Sequence, residues 1–303
     1  MPEPVTVAMT GATGFLGSHV LTHLVDAGHS VRALTRRAQP ERQNVTWIAG
    51  ALDDGAALAQ LCDGAAAIVH VAGVVSGDAT AFDAGNRVGT LAVLRAAQGA
   101  GVARFVHVSS LAAREPQLSM YGTSKRAAED AVVASSLDWQ IVRPPAIYGP
   151  GDAENLELFR FARRGLVPLP PGGRMSVIHA DDMAGLIVAL VVAPSGHRLY
   201  EPDDGMPGGW SHGDFARAIG SAVGRRILTV PLPASLVRIA AMLDGRLRGT
   251  KAKLTPDRAA YFCHPDWMID PAKRPPPELW RPKITTAAGL AATAAWYREA
   301  GWI

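Results

Sequence analysis

The chain has 303 residues, a formal net charge of +3, 48% hydrophobic and 19% charged residues, which excludes a disordered or fibrous protein and gives length for about two ordinary domains. Its basic residues are scattered as Arg36/Arg37, Arg163/Arg164, Arg225/Arg226 and the run Arg246, Arg248, Lys251, Lys253, without interleaved aromatics, so nucleic acid is not a partner and most of them read as solvated faces. Two cysteines, Cys62 and Cys263, are too few for a disulfide framework and suit a reducing compartment.

The start, MPEPVTVAMTG, lacks the basic stretch, apolar run and cleavage site of a signal peptide. The longest apolar run, MAGLIVALVVA at 183–193, is too short to span a bilayer, so the expected location is the cytoplasm. Short apolar runs (VTVAMT, SVRALT, VTWIAG, AAIVHVAG, RFVHVSS, DWQIVRPP) alternate with helical patterns such as GSHVLTHLVDAGH and GTLAVLRAAQGAG. That alternation predicts βαβ units and an α/β fold, a Rossmann-type doubly wound parallel sheet over residues 1–148, with ligands at the carboxyl ends of its strands. Beyond about residue 150 the alternation stops and prolines cluster in PLPPGG, VPLPAS and KRPPPELWRP, so 149–173 and 196–303 are expected to form a smaller C-terminal substrate domain. Residues 174–195 read as a strand, a turn capped by Asp181/Asp182 and a helix that returns to the first domain.

Between the first strand and first helix lies MTGATGFLGSHV, in which Gly11, Gly14 and Gly17 permit a tight turn, close approach of a pyrophosphate and packing of helix on strand. A dinucleotide is the implied cofactor. At the end of the second strand, where an acidic residue would accept from the ribose hydroxyls of NAD, the chain has Thr35, Arg36 and Arg37. A guanidinium fork matches a 2′-phosphate, so NADP(H) is expected to be preferred, with NAD(H) as the alternative, and Arg36 and Arg37 stand where such a contact is made.

Further on, Tyr121 and Lys125 stand at i and i+4, one turn apart on one helix face. An ammonium near a phenol stabilises phenolate, each pKa unit corresponding to about 1.4 kcal/mol. Hydride transfer to a carbonyl builds negative charge on oxygen, which a phenol and a second hydroxyl can meet. Ser110, at the tip of its strand, is that second donor. Other residues take plainer readings: His70, His107 and His179 as hydrogen-bonded core histidines, Asn86 as a structural or cofactor-side hydrogen bonder, and ASLVRIAAMLDGRLRGTKAK as a packed helix followed by a basic loop, with a basic membrane-facing helix as the alternative. No cluster has metal-ligand spacing, so no metal is expected.

The Gly-x-x-Gly-x-x-Gly spacing after Thr10, IVHVAG at 68–73, NRVGT at 86–90, FVHVSS at 105–110, YGTSK at 121–125, VRPPAIYGPG at 142–151, VIHADDMA at 177–184 and the terminal AAWYREAGWI resemble, in the same order, the motifs of the extended short-chain dehydrogenase/reductase family. The resemblance implies an NAD(P)-dependent oxidoreductase with the triad Ser110, Tyr121 and Lys125. Ser110 positions the carbonyl, with Ser109 supporting it; Tyr121 supplies the proton; Lys125 lowers the Tyr121 pKa and holds the nicotinamide ribose. It further implies cofactor contacts from Gly11, Thr13, Gly14, Phe15, Leu16 and Gly17, from Arg36 directly on the 2′-phosphate with Arg37 adding field or stacking on adenine, from Leu52, Val71, Ala72 and Gly73, and from Val108, Pro144, Ala146 and Ile147. A homodimer is implied as well.

The family includes carbonyl reductases, hydroxysteroid dehydrogenases, nucleotide-sugar epimerases and dehydratases. Many of its epimerases carry Arg-Asp-Tyr where this chain has Met175, Ser176 and Val177, although Arg174 is adjacent, and only LAAREPQLSM separates Ser110 from Tyr121. The expected substrate is therefore an apolar ketone, aldehyde or secondary alcohol, with a pocket from Val74, Val75, Leu111, Ile147, Leu156, Phe159 and Met175. A nucleotide-sugar epimerase or dehydratase is the second reading, and a non-catalytic cofactor-binding protein the third.

Overall fold

In chain order the first elements are β1 (Thr6–Thr10), α1 (Phe15–Asp26), β2 (Ser30–Thr35), β3 (Val45–Ala49), α2 (Gly55–Cys62), β4 (Ala67–His70), α3 (Ala79–Phe82), α4 (Gly89–Gly99), β5 (Arg104–Val108), α5 (Met120–Val133) and β6 (Asp138–Val142). They continue with β7 (Ala146–Tyr148), α6 (Leu156–Arg164), β8 (Leu166–Leu169), β9 (Arg174–Met175), β10 (Val177–His179), α7 (Ala180–Val192), β11 (Arg198–Tyr200), β12 (Trp210–Ser211) and α8 (His212–Val223). The last are β13 (Leu228–Pro231), α9 (Ala234–Arg248), α10 (Pro256–Phe262), β14 (Asp266–Trp267) and α11 (Thr286–Glu299). This computed structural model describes residues 3–249 and 254–303, so Lys251 and Lys253 of the basic run lie outside the described residues.

The chain divides into two units. The first comprises Met1–Pro144, Asp181–Pro202 and Lys273–Arg281. Among its described residues a seven-stranded sheet runs in the order β3-β2-β1-β4-β5-β6-β11, every pairing parallel. Its strands are short and apolar on both sides, as a sheet covered on both faces requires: all four residues of β4 and the last four of β1 are buried. Under α2 and α4 the packing is supplied by Leu58, Leu61, Val93 and Leu94 against Ile68, Phe105 and Ile141 of the sheet. The strand order reverses between β1 and β4, whose ends pair as Thr10 with His70. Outside those carboxyl ends is where a doubly wound sheet receives its ligand.

Two expectations about the first unit need correcting. Val177–His179 pairs with β7 and not with the main sheet; only the helix after it, from Asp181, belongs to the first unit. Instead Arg198–Tyr200, expected in the smaller domain, adds the edge strand beside β6. The exchange is made possible by Asp138, which pairs with Arg104 at 2.7 Å and accepts from the Gly196 N–H at 2.8 Å, drawing the chain after α7 against the sheet.

The second unit comprises Pro145–Ala180, Asp203–Ala272 and Pro282–Ile303. Its small sheets are β7 with β10, β8 with β13, and β12-β9-β14. Its core gathers Tyr148, Phe159, Phe215, Ile219, Leu290 and Tyr297. Phe159 is fully buried edge-on to Tyr297 at 4.9 Å, which makes it a core residue and removes it from the expected substrate pocket.

Candidate active site

The glycine turn is built by sterics. Gly11 has φ +77°, and a Cβ there would lie 2.6 Å from the Ala72 nitrogen. A Cβ on Gly17 would lie 1.9 Å from the Gly11 carbonyl oxygen. No side chain larger than hydrogen fits either place, so α1 starts directly against the β1 turn and beside the end of β4. Gly14 is the N-cap of α1 and supplies no capping side chain, which leaves the helix N-terminal N–H groups for an anion. Thr13 and Gly14 are exposed, Phe15 is half-buried, and Leu16 and Gly17 face the core. This cradle fits the pyrophosphate of a dinucleotide.

The flanks of the turn are held from below. Thr10 Oγ1 hydrogen-bonds His70 Nδ1 at 2.7 Å and accepts from the Ala72 N–H at 3.3 Å, while His70 Nε2 meets Thr90 Oγ1 at 3.0 Å. Burial, with the nearby Lys125 charge, pulls the His70 pKa down to about 3, so it is a neutral structural hydrogen bonder. His107 is buried and stacked on His70 at 5.4 Å, but neither of its ring nitrogens has a hydrogen-bond partner among the described residues, contrary to the expectation. Neutrality makes this tolerable: burial, His70 and Lys125 all hold its pKa well below 6.5.

At the β2 end, Thr35 Oγ1 donates to the Arg37 carbonyl at 2.7 Å and so shapes the turn, leaving the Arg36 and Arg37 side chains exposed. The Arg36 guanidinium makes no hydrogen bond or ion pair among the described residues. After β3, Leu52 packs against the α2–α4 core, and a Cβ on Gly89 would come within 2.7 Å of its Cδ1. Asp54 caps α2, its side chain accepting from the Ala57 N–H. Asp181 and Asp182 lie in the first turn of α7, where Asp181 Oδ1 meets His19 Nδ1 at 2.6 Å and His23 Nε2 at 3.3 Å.

α5 begins at Ser119, whose side chain accepts from the Gly122 N–H. It carries Tyr121 half-buried, tilted against Phe82 at 5.9 Å, and Lys125 fully within the protein. Lys125 Nζ donates to the Val108 carbonyl at the end of β5 at 3.1 Å. A Cβ on Gly73 would lie 3.1 Å from Lys125 Nζ and 3.0 Å from Asn86 Oδ1, so the ends of β4 and β5 and the Lys125 head group converge. Burial lowers the Lys125 pKa to about 8, against an upward pull from Glu129. Its ammonium persists at neutral pH without the deep proton affinity of a solvated lysine.

The two serines take different work. Ser109 Oγ donates to Glu129 Oε1 at 2.5 Å. Ser110 Oγ accepts from the Ala112 N–H at 3.2 Å, capping a short helical turn, Leu111–Arg114, that packs on α5. This leaves the Ser110 hydroxyl hydrogen without an acceptor among the described residues. Pro144 braces the same turn, its carbonyl accepting from the Leu111 N–H at 3.0 Å. Leu111 is buried and therefore packs the core. Ala146 and Ile147 belong to β7 of the second unit.

Asn86 hydrogen-bonds as expected, and a second device, an ion network, is not legible in the sequence. Asn86 sits in a π-helical turn, Asp83–Val88, and pins the segment after β4, accepting from the Val74 N–H at 2.7 Å while donating to the Val74 carbonyl at 3.0 Å and to Ser124 Oγ at 2.8 Å. A buried ion network stands behind the serines: Arg143 bridges Glu129 and Glu201. The only advance signal was a charged Arg143 within an apolar strand end.

Among the described residues no three His, Cys, Asp or Glu side chains converge as metal ligands, and no helix is long and apolar enough to cross a membrane. Residues 11–194 match the family model described as NAD(P)H-binding. Over 98% of its length the chain is 39% identical to the ceramide reductase of Caulobacter vibrioides, covering 96% of that protein. It superposes on MoeE5 in complex with UDP-glucuronic acid and NAD (TM-score 0.73, 19% identity, 98% of this chain and 99% of the other). It also superposes on human epimerase family protein SDR39U1 with NADPH (TM-score 0.74, 19% identity, 96% of this chain and 99% of the other). Glycine turn, parallel sheet and full-length similarity agree: the chain is an NAD(P)-dependent oxidoreductase of the extended short-chain dehydrogenase/reductase family.

Proposed function

We propose that the protein reduces a ketone, or in reverse oxidises a secondary alcohol, on a long apolar molecule, with NADPH as the preferred cofactor. The observation that carries the reading is the buried Lys125 ammonium, fixed to the Val108 carbonyl one helical turn from Tyr121. Gly11, Gly14 and Gly17 would hold the dinucleotide at its pyrophosphate and Arg36 would hold its 2′-phosphate, and the bound cofactor would supply the hydride. Ser110 donates its free hydroxyl hydrogen to the substrate oxygen and orients it. Tyr121 gives its phenolic proton to that oxygen as negative charge develops, and Lys125 stabilises the phenolate left behind. Val71, Ala72, Gly73, Val108 and Pro144 would line the nicotinamide end of the bound cofactor.

An apolar substrate is supported on two sides. The relative of 39% identity is named for ceramide, a lipid. And Arg174, adjacent in sequence to the place of the epimerases' phosphate-binding arginine, donates to the Gly208 carbonyl at 2.6 Å and the Gly209 carbonyl at 3.1 Å. The test is turnover of a panel of 3-oxo amides and ketones of increasing chain length with NADPH, using wild type and Tyr121→Phe. Turnover that rises with chain length and falls about 10²- to 10⁴-fold in the variant, at NADPH affinity within a few-fold, is expected. Undiminished turnover in Tyr121→Phe, or epimerisation of a uridine diphosphate sugar by the wild type, overturns it.

A further inference from the structure

Helix α9 turns the wrong side outward for a packed helix. Its contribution to a core is Val237 and Ala241, which meet Ala259 and partly buried neighbours. Opposite them Leu236, Ile239, Met242, Leu243 and Leu247 are 49%, 46%, 54%, 51% and 84% exposed. At 100° per residue these five fall within an arc of about 140°, centred away from the two buried side chains. Single exposed leucines are ordinary, but five large apolar side chains on one face of one helix mark an interaction surface. The strand leading into α9 continues the pattern: Leu228, 65% exposed, is paired with Leu166, 49% exposed.

The charge of this stretch of sequence is equally uneven. From residue 225 to 253 the sequence holds seven basic residues and one acidic, a net +6, while the whole chain carries +3. The rest of the protein is therefore acidic. The single acid, Asp244, is paired with Arg248 at 3.2 Å and accepts from the Leu254 N–H. Arg246 is exposed within the apolar arc and Arg238 is exposed about 40° outside its edge, and arginine stems lie along apolar surface while their heads reach outward.

We infer that α9 is a docking helix for an anionic lipid bilayer, lying in the interface with its apolar face among the acyl chains and its arginines on the lipid phosphates. Large apolar residues on one face with Arg and Lys flanking them are the composition of helices that lie in a membrane plane. A second copy of this chain is disfavoured as the occupant because a twofold contact on this face would set Arg238 and Arg246 of each copy against those of the other. The inference stands on the helix alone and does not need the reductase reading.

The test is flotation of the full chain with vesicles of phosphatidylcholine, or of phosphatidylcholine with phosphatidylglycerol. Wild type is expected to float with the anionic vesicles, to be released by high salt, and to stay in solution with the neutral ones. The double variant Leu243→Glu/Leu247→Glu, altered at exposed positions, is expected to bind about 100-fold more weakly at an unchanged melting temperature. As a second variant should that one misfold, Arg238→Gln/Arg246→Gln should shed salt-sensitive binding. Failure of wild type to float with anionic vesicles, flotation unaltered in both variants, or a dimer in solution that Leu243→Glu/Leu247→Glu dissociates would each overturn the inference.

Discussion

Arg143 grips Glu129 with two parallel hydrogen bonds, Nε to Oε1 at 2.8 Å and Nη2 to Oε2 at 2.6 Å, and both side chains are buried. Glu129 also receives the Ser109 hydroxyl and pulls the Lys125 pKa upward. One carboxylate thus steadies the serine strand and the lysine helix together. Glu129→Gln strands part of the Arg143 charge, which costs about 3–5 kcal/mol when a buried pair loses one member. Because Lys125 is protonated below about 8 and Glu129 opposes the lowering, the alkaline limb of the rate profile should move to lower pH in the variant. Urea titration and a pH series of turnover measure the two effects separately.

Arg36→Ala should weaken NADPH binding roughly 10- to 150-fold, the equivalent of about 1.5–3 kcal/mol for a charge-assisted phosphate contact, and leave NADH nearly unaffected. Dissociation constants for both cofactors decide it; equal wild-type affinities would show that the exposed arginines serve another purpose.

Gly17→Ala places a methyl 1.9 Å from a backbone oxygen that no rotamer change can relieve. The turn must open, so dinucleotide affinity should fall by more than about tenfold, with lowered thermal stability. Titration calorimetry and a melt on the same sample check both. Wild-type affinity in that variant would mean the turn is looser than described.

The stacked histidines make stability depend on acid. Both are neutral in the folded chain, whereas in the unfolded chain they titrate near 6.5. Below pH 6.5 unfolding therefore takes up protons, and stability falls by up to about 1.4 kcal/mol per pH unit for each histidine, down towards pH 3 for His70. His107 has no hydrogen bond to lose, so His107→Leu removes one of these terms. Between pH 6.5 and 5 the variant should lose about 2 kcal/mol less than wild type in urea titrations.

What could be read in the sequence was local. The glycine turn, the Tyr121/Lys125 pair and the serine doublet declare themselves because their chemistry sits within a few residues of chain, and the parallel sheet follows from strand–helix alternation. Arg143, Glu129 and Glu201 lie up to 72 residues apart, and nothing in their spacing predicts that they meet. Arg198–Tyr200 is too short and half-exposed to announce a strand. For α9 the periodicity was visible, but periodicity does not say which of two apolar faces turns inward. There the small residues Val237 and Ala241 fill the core and the large ones face out.

The chain enters the first unit three times, and its edge strand and the Lys273 partner of Glu201 arrive late. During synthesis the first 144 residues emerge with β6 as an unprotected sheet edge, open to pairing with other chains until Arg198–Tyr200 follows. Assembly of this domain is consequently a non-local event, completed only after the intervening segments have been made, and truncated forms ending between 144 and 198 should aggregate rather than accumulate as a free dinucleotide-binding domain.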